Sequence, residues 1–288
     1  MNRIRWDHRL AMPGWLRGTR FEPRARHEAL RLKRWALGVE RWARHGRVRM
    51  KLASVPDRIW VDFEFAVLNS QPLDDPLLAA LVAHIKPGST VFDVGSFVGT
   101  YAIAAARRMS TGRVVAFEPS PESARLLRRH ILLNRMENRI RVVEAACSNR
   151  NGTEMMSVWP VLTTTWGSGN ALRNAYPREG ADPALVPVSS LRLDDYVLAA
   201  KEIPSIVKID VEGAELWVLE GAMNVLRVHR PLVLLEIHKV LWHMFDTTEE
   251  RVRTLVASVG YDLREISPPH RPLQDFPEYG HALLRPRN

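Results

Sequence analysis

One cysteine, Cys147, stands in 288 residues, so the chain can form neither an intrachain disulfide nor a cysteine-rich zinc site. No apolar run reaches the length that crosses a bilayer; the best stretches, such as residues 231–237, have strand length. The basic residues near the start are followed by no uninterrupted apolar segment, which argues against a secretory signal. The G-x-G-x-x-G spacing of dinucleotide sites is missing, as are internal repeats and low-complexity tracts. What remains is a globular protein of a reducing compartment, with the cytoplasm as the expected location. Hydrophobic residues at 46% and charged residues at 25% are ordinary for that class.

The net charge of +9 is unevenly placed. Residues 1–58 hold sixteen Lys and Arg against five Asp and Glu, while the other 230 residues hold 25 against 27. The basicity therefore belongs to an N-terminal segment. Within it, Leu32, Trp35, Ala36, Val39, Trp42 and Ala43 recur at helical spacing between Arg31, Arg34, Arg41 and Arg44, predicting a basic amphipathic helix over 24–45. Such a helix suits an anionic membrane surface or nucleic acid, or docking on the protein's own core or on a second copy in a homodimer. Residues 48–52 and 59–63 alternate around Pro56-Asp57 and predict a hairpin.

From about Asp75 strands and helices alternate. Strands are expected at 90–94, 114–117, 140–146, 206–209 and 232–237, with helices at 76–85, 100–109, 121–134, 214–228 and 248–259. A final antiparallel pair is expected at 261–266 and 281–284. This alternation predicts an α/β domain over 75–288, a mostly parallel sheet covered by helices on both faces, preceded by a 1–74 extension. Residues 149–190, rich in Gly, Thr and Pro, break the rhythm and read as a long loop that forms a lid or substrate wall.

Residues 91–100 run from a strand through Asp93-x-Gly95-x-x-x-Gly99 into a helix. Glycine allows backbone to lie against a ligand, and ligands of open α/β sheets bind at the carboxyl ends of strands. An acid before the first glycine disfavours a pyrophosphate and favours a sulfonium or an amine. Glu118, after the second strand, is placed to accept hydrogen bonds from ribose hydroxyls. The candidate nucleotide-site residues are Asp93, Gly95, Ser96, Gly99 and Glu118, with Ala145 at the end of the third strand; Cys147 reads as a small buried hydrophobe.

Residues 207–221, Val207-Lys-Ile-Asp-Val-Glu-Gly-Ala-Glu-Leu-Trp-Val-Leu-Glu-Gly221, closely resemble the FkbM family of class I methyltransferases. The family couples a D-V-G-x-x-x-G loop to a K-I-D-x-E-G-x-E segment and an apolar strand closing in an acid, which here are Asp93–Gly99, Lys208–Glu215 and 232–236. The resemblance spans roughly residues 75–284. It implies a Rossmann-like fold with a seven-stranded sheet, S-adenosylmethionine as cofactor, and O-methylation of a sugar, glycolipid or polyketide-like hydroxyl. Phe97 departs from the family, which usually places a small or amide residue there.

Period-two alternation puts Lys208 and Asp210 on one face at the end of the fourth strand, and Glu236 and His238 on one face at the end of the fifth. An alcohol acceptor must lose a proton as the methyl arrives, and a carboxylate or imidazole can take it. The catalytic candidates are thus His238, Asp210, Lys208, Glu212 and Glu236, with His238 the foremost base. Asp210, Glu236 and His238 are also candidate ligands for Mg2+ or Mn2+. The plainer readings are that Lys208 neutralises Asp210, and that Glu212 and Glu215 are favourable acids in a first helical turn. Two other functions compete. An RNA methyltransferase would use the basic segment, but the N/D-P-P-Y/F motif of base-amine methylation is absent. A non-catalytic membrane-associated module would not need the intact Asp93, Glu118 and Asp210.

Overall fold

A computed structural model of the chain describes residues 46–52, 58–62, 65–66, 75–158, 171–172 and 183–287. The expected helix over 24–45 and the Pro56-Asp57 turn lie outside the described residues. Of the two compact units, Met1–Arg47 and Val48–Asn288, the described residues belong to the second apart from Gly46 and Arg47.

Its main sheet has seven strands: β3 (Thr90–Val94), β4 (Arg113–Phe117), β5 (Ile140–Val143), β10 (Ile206–Ile209), β11 (Leu232–His238), β12 (Tyr261–Glu265) and β13 (Tyr279–Pro286). They lie in the order β12-β13-β11-β10-β3-β4-β5. The five from β5 to β11 are parallel, and β13 runs antiparallel between β11 and β12. The two central strands are buried on both faces, as parallel strands under two helical layers must be. On one side Val91, Val114, Leu234 and Leu283 pack beneath α1 (Pro76–His84), α2 (Thr100–Arg108) and α3 (Pro121–Asn134). On the other, Phe92, Phe117, Val233 and Leu235 meet α4 (Leu193–Ala200), α5 (Glu215–Glu220) and α6 (Glu249–Ser258).

Local chemistry sets the helix starts. Asp75 caps α1, accepting from the Leu77 and Leu78 N–H groups with proline in the first turn, and Ser120 and Thr248 cap α3 and α6 in the same manner. The paired strands β1 (Arg47–Lys51) and β2 (Arg58–Asp62) were assigned with the extension from sequence. Leu52, Ile59 and Val61 instead join the core of the main unit. The Asp62 N–H donates to His130 Nε2 and the Trp60 N–H to Asn134 Oδ1, both on α3.

Three expectations need correction. The 149–190 stretch is not simply a loop, because β7 (Gly152–Val158) pairs antiparallel with β9 (Ala184–Leu191). With β6 (Ala146–Cys147) and β8 (Ala171–Leu172) they form a second, four-stranded sheet. Its two long strands are far apart in sequence, so local pattern carries little of their pairing. The expected strand over 140–146 splits, β5 staying in the main sheet and β6 joining the second. The expected helix over 214–228 stops at Gly221, where a Cβ would meet the Ser148 carbonyl oxygen at 2.0 Å. It resumes as a π-helical turn, Val225–His229.

Candidate functional site

The loop after β3 is shaped by its glycines. Gly95 has φ +77° and a Cβ there would lie 1.8 Å from the Asp210 carbonyl oxygen, so only glycine lets the loop touch the end of β10. Gly99, at φ +87°, brings the start of α2 against Leu127 of α3. Between them Phe97 takes φ +49°, an unusual conformation for an aromatic residue that costs about 1–2 kcal/mol. Its N–H is thereby aimed at Glu118 Oε2, 2.7 Å away, a charge-assisted bond when the carboxyl is ionised. Ser120 N–H holds the other oxygen at 2.9 Å. Burial pushes the Glu118 carboxyl up to about 8, against the pull of these two donors and Lys208.

Gly95, Phe97 and Glu118 open onto a cavity of about 640 Å³, counting its mouth. Ala145 and Cys147 line its apolar wall with Met156 and Leu172 from the second sheet, and Asp210 and Glu212 close its far end. Cys147 is buried and its thiol is pushed well up, so it packs as a small hydrophobe. The donor set fits S-adenosylmethionine: an apolar slot for adenine at Ala145 and Cys147, a carboxyl for the ribose at Glu118, and acids beyond the glycine turn for the cationic end. The sequence-predicted contacts divide here. Gly95, Glu118 and Ala145 reach the cavity, whereas Asp93, Ser96 and Gly99 shape the loop from behind. Ser96 Oγ donates to the Asp93 carbonyl at 2.7 Å, and the Asp93 carboxylate turns to Lys208 rather than outward.

Lys208 is 1% exposed. Its Nζ lies 3.3 Å from Asp93 Oδ1, 3.2 Å from Asp210 Oδ2 and 2.9 Å from the Gly95 carbonyl, with the Tyr101 ring 4.6 Å away. Burial pulls its pKa down, but the charges of Asp210, Asp93 and Glu236 outweigh this and hold it above the usual lysine value. Burial pushes Asp210 up, and Lys208 and His238 more than reverse that, so Asp210 titrates below the ordinary carboxylate range. Glu236 goes the other way: burial and the neighbouring Asp210 charge push it to about 9. His238 Nε2 faces Glu212 at 3.4 Å, Glu236 at 3.7 Å and Asp210 at 4.0 Å. Burial favours its neutral form, yet the hydrogen bond to Glu215 and the surrounding carboxylates raise it to about 10.

The five catalytic candidates thus come together at one edge. A pKa held at about 10 by Glu215 and the neighbouring carboxylates lies above the value that suits a general base near neutral pH. Asp210, Glu236 and His238 offer ligand atoms within 4.8 Å of one another, as a metal site requires. The Lys208 ammonium already lies 3.2 Å from Asp210 Oδ2 and would compete with Mg2+ or Mn2+ for that carboxylate. Residues that the sequence reading did not count among the catalytic candidates complete the edge. Glu215 anchors His238, while His281 stands opposite Glu236 in the β11–β13 register. Asp75 lies 3.9 Å from His281 and also accepts from the Tyr101 hydroxyl.

A sheet counted 3-2-1-4-5-7-6 with its seventh strand reversed, carrying a glycine loop and a ribose acid on adjacent strands, defines a class I methyltransferase. Residues 93–263 match the methyltransferase FkbM domain, and the chain belongs to that family, which uses S-adenosylmethionine to methylate its substrates. The chain is similar to 31-O-demethyl-FK506 methyltransferase FkbM of Streptomyces tacrolimicus, 29% identical over 180 residues, 54% of this chain and 68% of that one. It is 27% identical over 162 residues to methyltransferase sdnD of Sordaria araneosa, covering 49% of this chain and 62% of that relative. The crystal structure of methyltransferase FkbM from Methylobacillus flagellatus KT superposes with a TM-score of 0.43 at 15% identity, covering 77% and 58% of the two chains.

Proposed function

We propose that the protein transfers the methyl group of S-adenosylmethionine to a hydroxyl oxygen of a sugar, glycolipid or polyketide-like acceptor. The observation that carries this reading is the Asp210 carboxyl lining the cavity, with Lys208 Nζ 3.2 Å from its Oδ2. The name of the Streptomyces tacrolimicus relative, which places its methyl on oxygen, supports the same direction. When bound, the cofactor supplies an electrophilic methyl on a sulfonium. Asp210 takes the acceptor's proton as the oxygen–carbon bond forms and the sulfur–carbon bond breaks. Lys208 keeps Asp210 ionised and aimed, and the cationic His238 aligns the carboxylates around the acceptor oxygen. Residues 24–45, basic and tryptophan-bearing, are proposed to bring the enzyme to an anionic membrane surface.

The test is S-adenosylhomocysteine release from purified protein against pools of sugars, glycolipids, polyketide alcohols, amines and RNA. Product must carry the methyl on oxygen. Asp210→Asn should lower turnover about 100-fold or more, in the range of lost general-base catalysis, while cofactor affinity changes less than about threefold. Methylation confined to nitrogen, or an Asp210→Asn enzyme with normal turnover, overturns the proposal.

A further inference from the structure

Glu215 has a fully buried carboxylate at the start of α5, and three separate stretches of chain donate to it. The Gly213 N–H reaches Oε1 at 2.9 Å, the Trp242 indole N–H reaches Oε2 at 2.8 Å, and His238 Nδ1 lies 3.0 Å from Oε1. Both oxygens face N–H donors, so the carboxylate accepts and His238 Nδ1 carries its hydrogen. Burying a charged group is expensive, and pinning the 3-10 helix Lys239–Phe245 to α5 does not require one. The Gly213 and Trp242 bonds already serve that structural end; the histidine bond is the extra element.

That bond decides where the ring points. With Nδ1 held from the α5 side and the Tyr279 ring set edge-on at 6.0 Å, Nε2 is left facing Glu212, Glu236 and Asp210. A rotated ring would lose the Glu215 bond and put a carbon toward the carboxylates. We propose that Glu215 is a positioning residue of the transfer site: it locks the His238 ring so that Nε2 faces the carboxylates around the acceptor oxygen. The arrangement parallels the general rule that a working imidazole has one nitrogen fixed by a buried partner, which sets the role of the other. The part played by His238 in turnover rests on the O-methyl transfer proposed above; the locking of the ring does not.

The two are separated by measuring each alone. In protein labelled with 15N-histidine, long-range 1H–15N spectra should show one ring, assigned by its loss in His238→Gln, whose Nδ1–H proton is far downfield and slow to exchange. Glu215→Ala should remove that resonance, and Glu215→Gln, which preserves size and an acceptor, should retain it further upfield. With a methylated acceptor in hand, Glu215→Ala should lower kcat at least tenfold with acceptor KM and S-adenosylhomocysteine affinity within about threefold, and Glu215→Gln should recover part of it. Tyr261→Phe, which removes a buried hydrogen bond to the Pro231 carbonyl away from the site, serves as the stability control and should leave kcat unchanged. A downfield Nδ1–H unmoved in Glu215→Gln overturns the proposal even where Glu215→Ala does not fold. So does a fall in kcat that Tyr261→Phe reproduces at equal loss of stability. If no hydroxyl acceptor is found, the O-methyl reading fails while the spectra still decide the locking of the ring.

Discussion

Replacing Lys208 with methionine keeps the length of the side chain and removes its charge. Asp93 is fully buried, and neither of its carboxylate oxygens has a hydrogen-bond partner among the described residues, so Lys208 at 3.3 Å is what answers its charge. Asp210 loses its partner at 3.2 Å as well. At an effective dielectric near 20 each such contact amounts to about 5 kcal/mol of attraction before desolvation is subtracted. Removing one partner of a buried pair typically lowers stability by about 3–5 kcal/mol, because the remaining charge is stranded. For a unit of this size that corresponds to a fall in Tm of roughly 6–20 °C. Guanidinium and thermal unfolding of Lys208→Met against the parent protein give the number directly. The double variant Asp93→Asn with Lys208→Met should recover most of the loss, since it leaves one fewer stranded charge. A single variant that loses less than about 1 kcal/mol, or a double variant no better than the single, refutes the reasoning.

Four other outcomes are expected. Glu118, raised to about 8 by burial, is protonated below that pH and ionised above it. An ionised carboxylate accepts ribose hydroxyls better, so S-adenosylhomocysteine affinity by calorimetry should rise from pH 6 toward 8, by at most about tenfold per unit, and then level; a flat profile, or the same profile in Glu118→Gln, removes Glu118 from the ribose. Gly95→Ala, whose Cβ would lie 1.8 Å from the Asp210 carbonyl oxygen, should weaken cofactor binding by more than tenfold, about 1.4 kcal/mol. Exhaustive chelation should leave turnover unchanged, and loss restored by Mg2+ or Mn2+ would reinstate the metal. The full-length protein should sediment with anionic vesicles at low salt, and Arg34→Glu combined with Arg41→Glu should reduce this, each basic group contributing about 1 kcal/mol at the surface; indifference to vesicles excludes the membrane role.

The sequence was most legible where local chemistry decides structure. β3 and β10 lie at the expected residues because short apolar runs bounded by turn signals have few other options, and α3 spans its expected range under Ser120 and Pro121 at one end and a left-handed Arg135 at the other. The second sheet was hidden because β7 finds its partner in β9, more than two dozen residues further on. The break in the 214–228 helix was hidden for a similar reason: Gly221 is needed by the Ser148 carbonyl, a neighbour that only the folded chain supplies.

The same division runs through the site. Alternation along one strand is enough to place Lys208 with Asp210 and Glu236 with His238, but not to say which charges cancel. That depends on register: Lys208 pairs with Asp93 across β10 and β3, and Glu236 stands opposite His281 across β11 and β13. Register also explains why Asp93, expected beside the cationic ligand, is turned inward. One ammonium holds Asp93 and the Gly95 carbonyl on the cofactor side and Asp210 on the acceptor side. The two halves of the site are therefore coupled through Lys208, and a substitution in the glycine loop that moves the Gly95 carbonyl must also disturb the ionisation of Asp210. A defect in cofactor binding that leaves the Asp210 ion pair unaffected is instead expected at cavity positions such as Ala145, which follows β5 and does not touch this lysine.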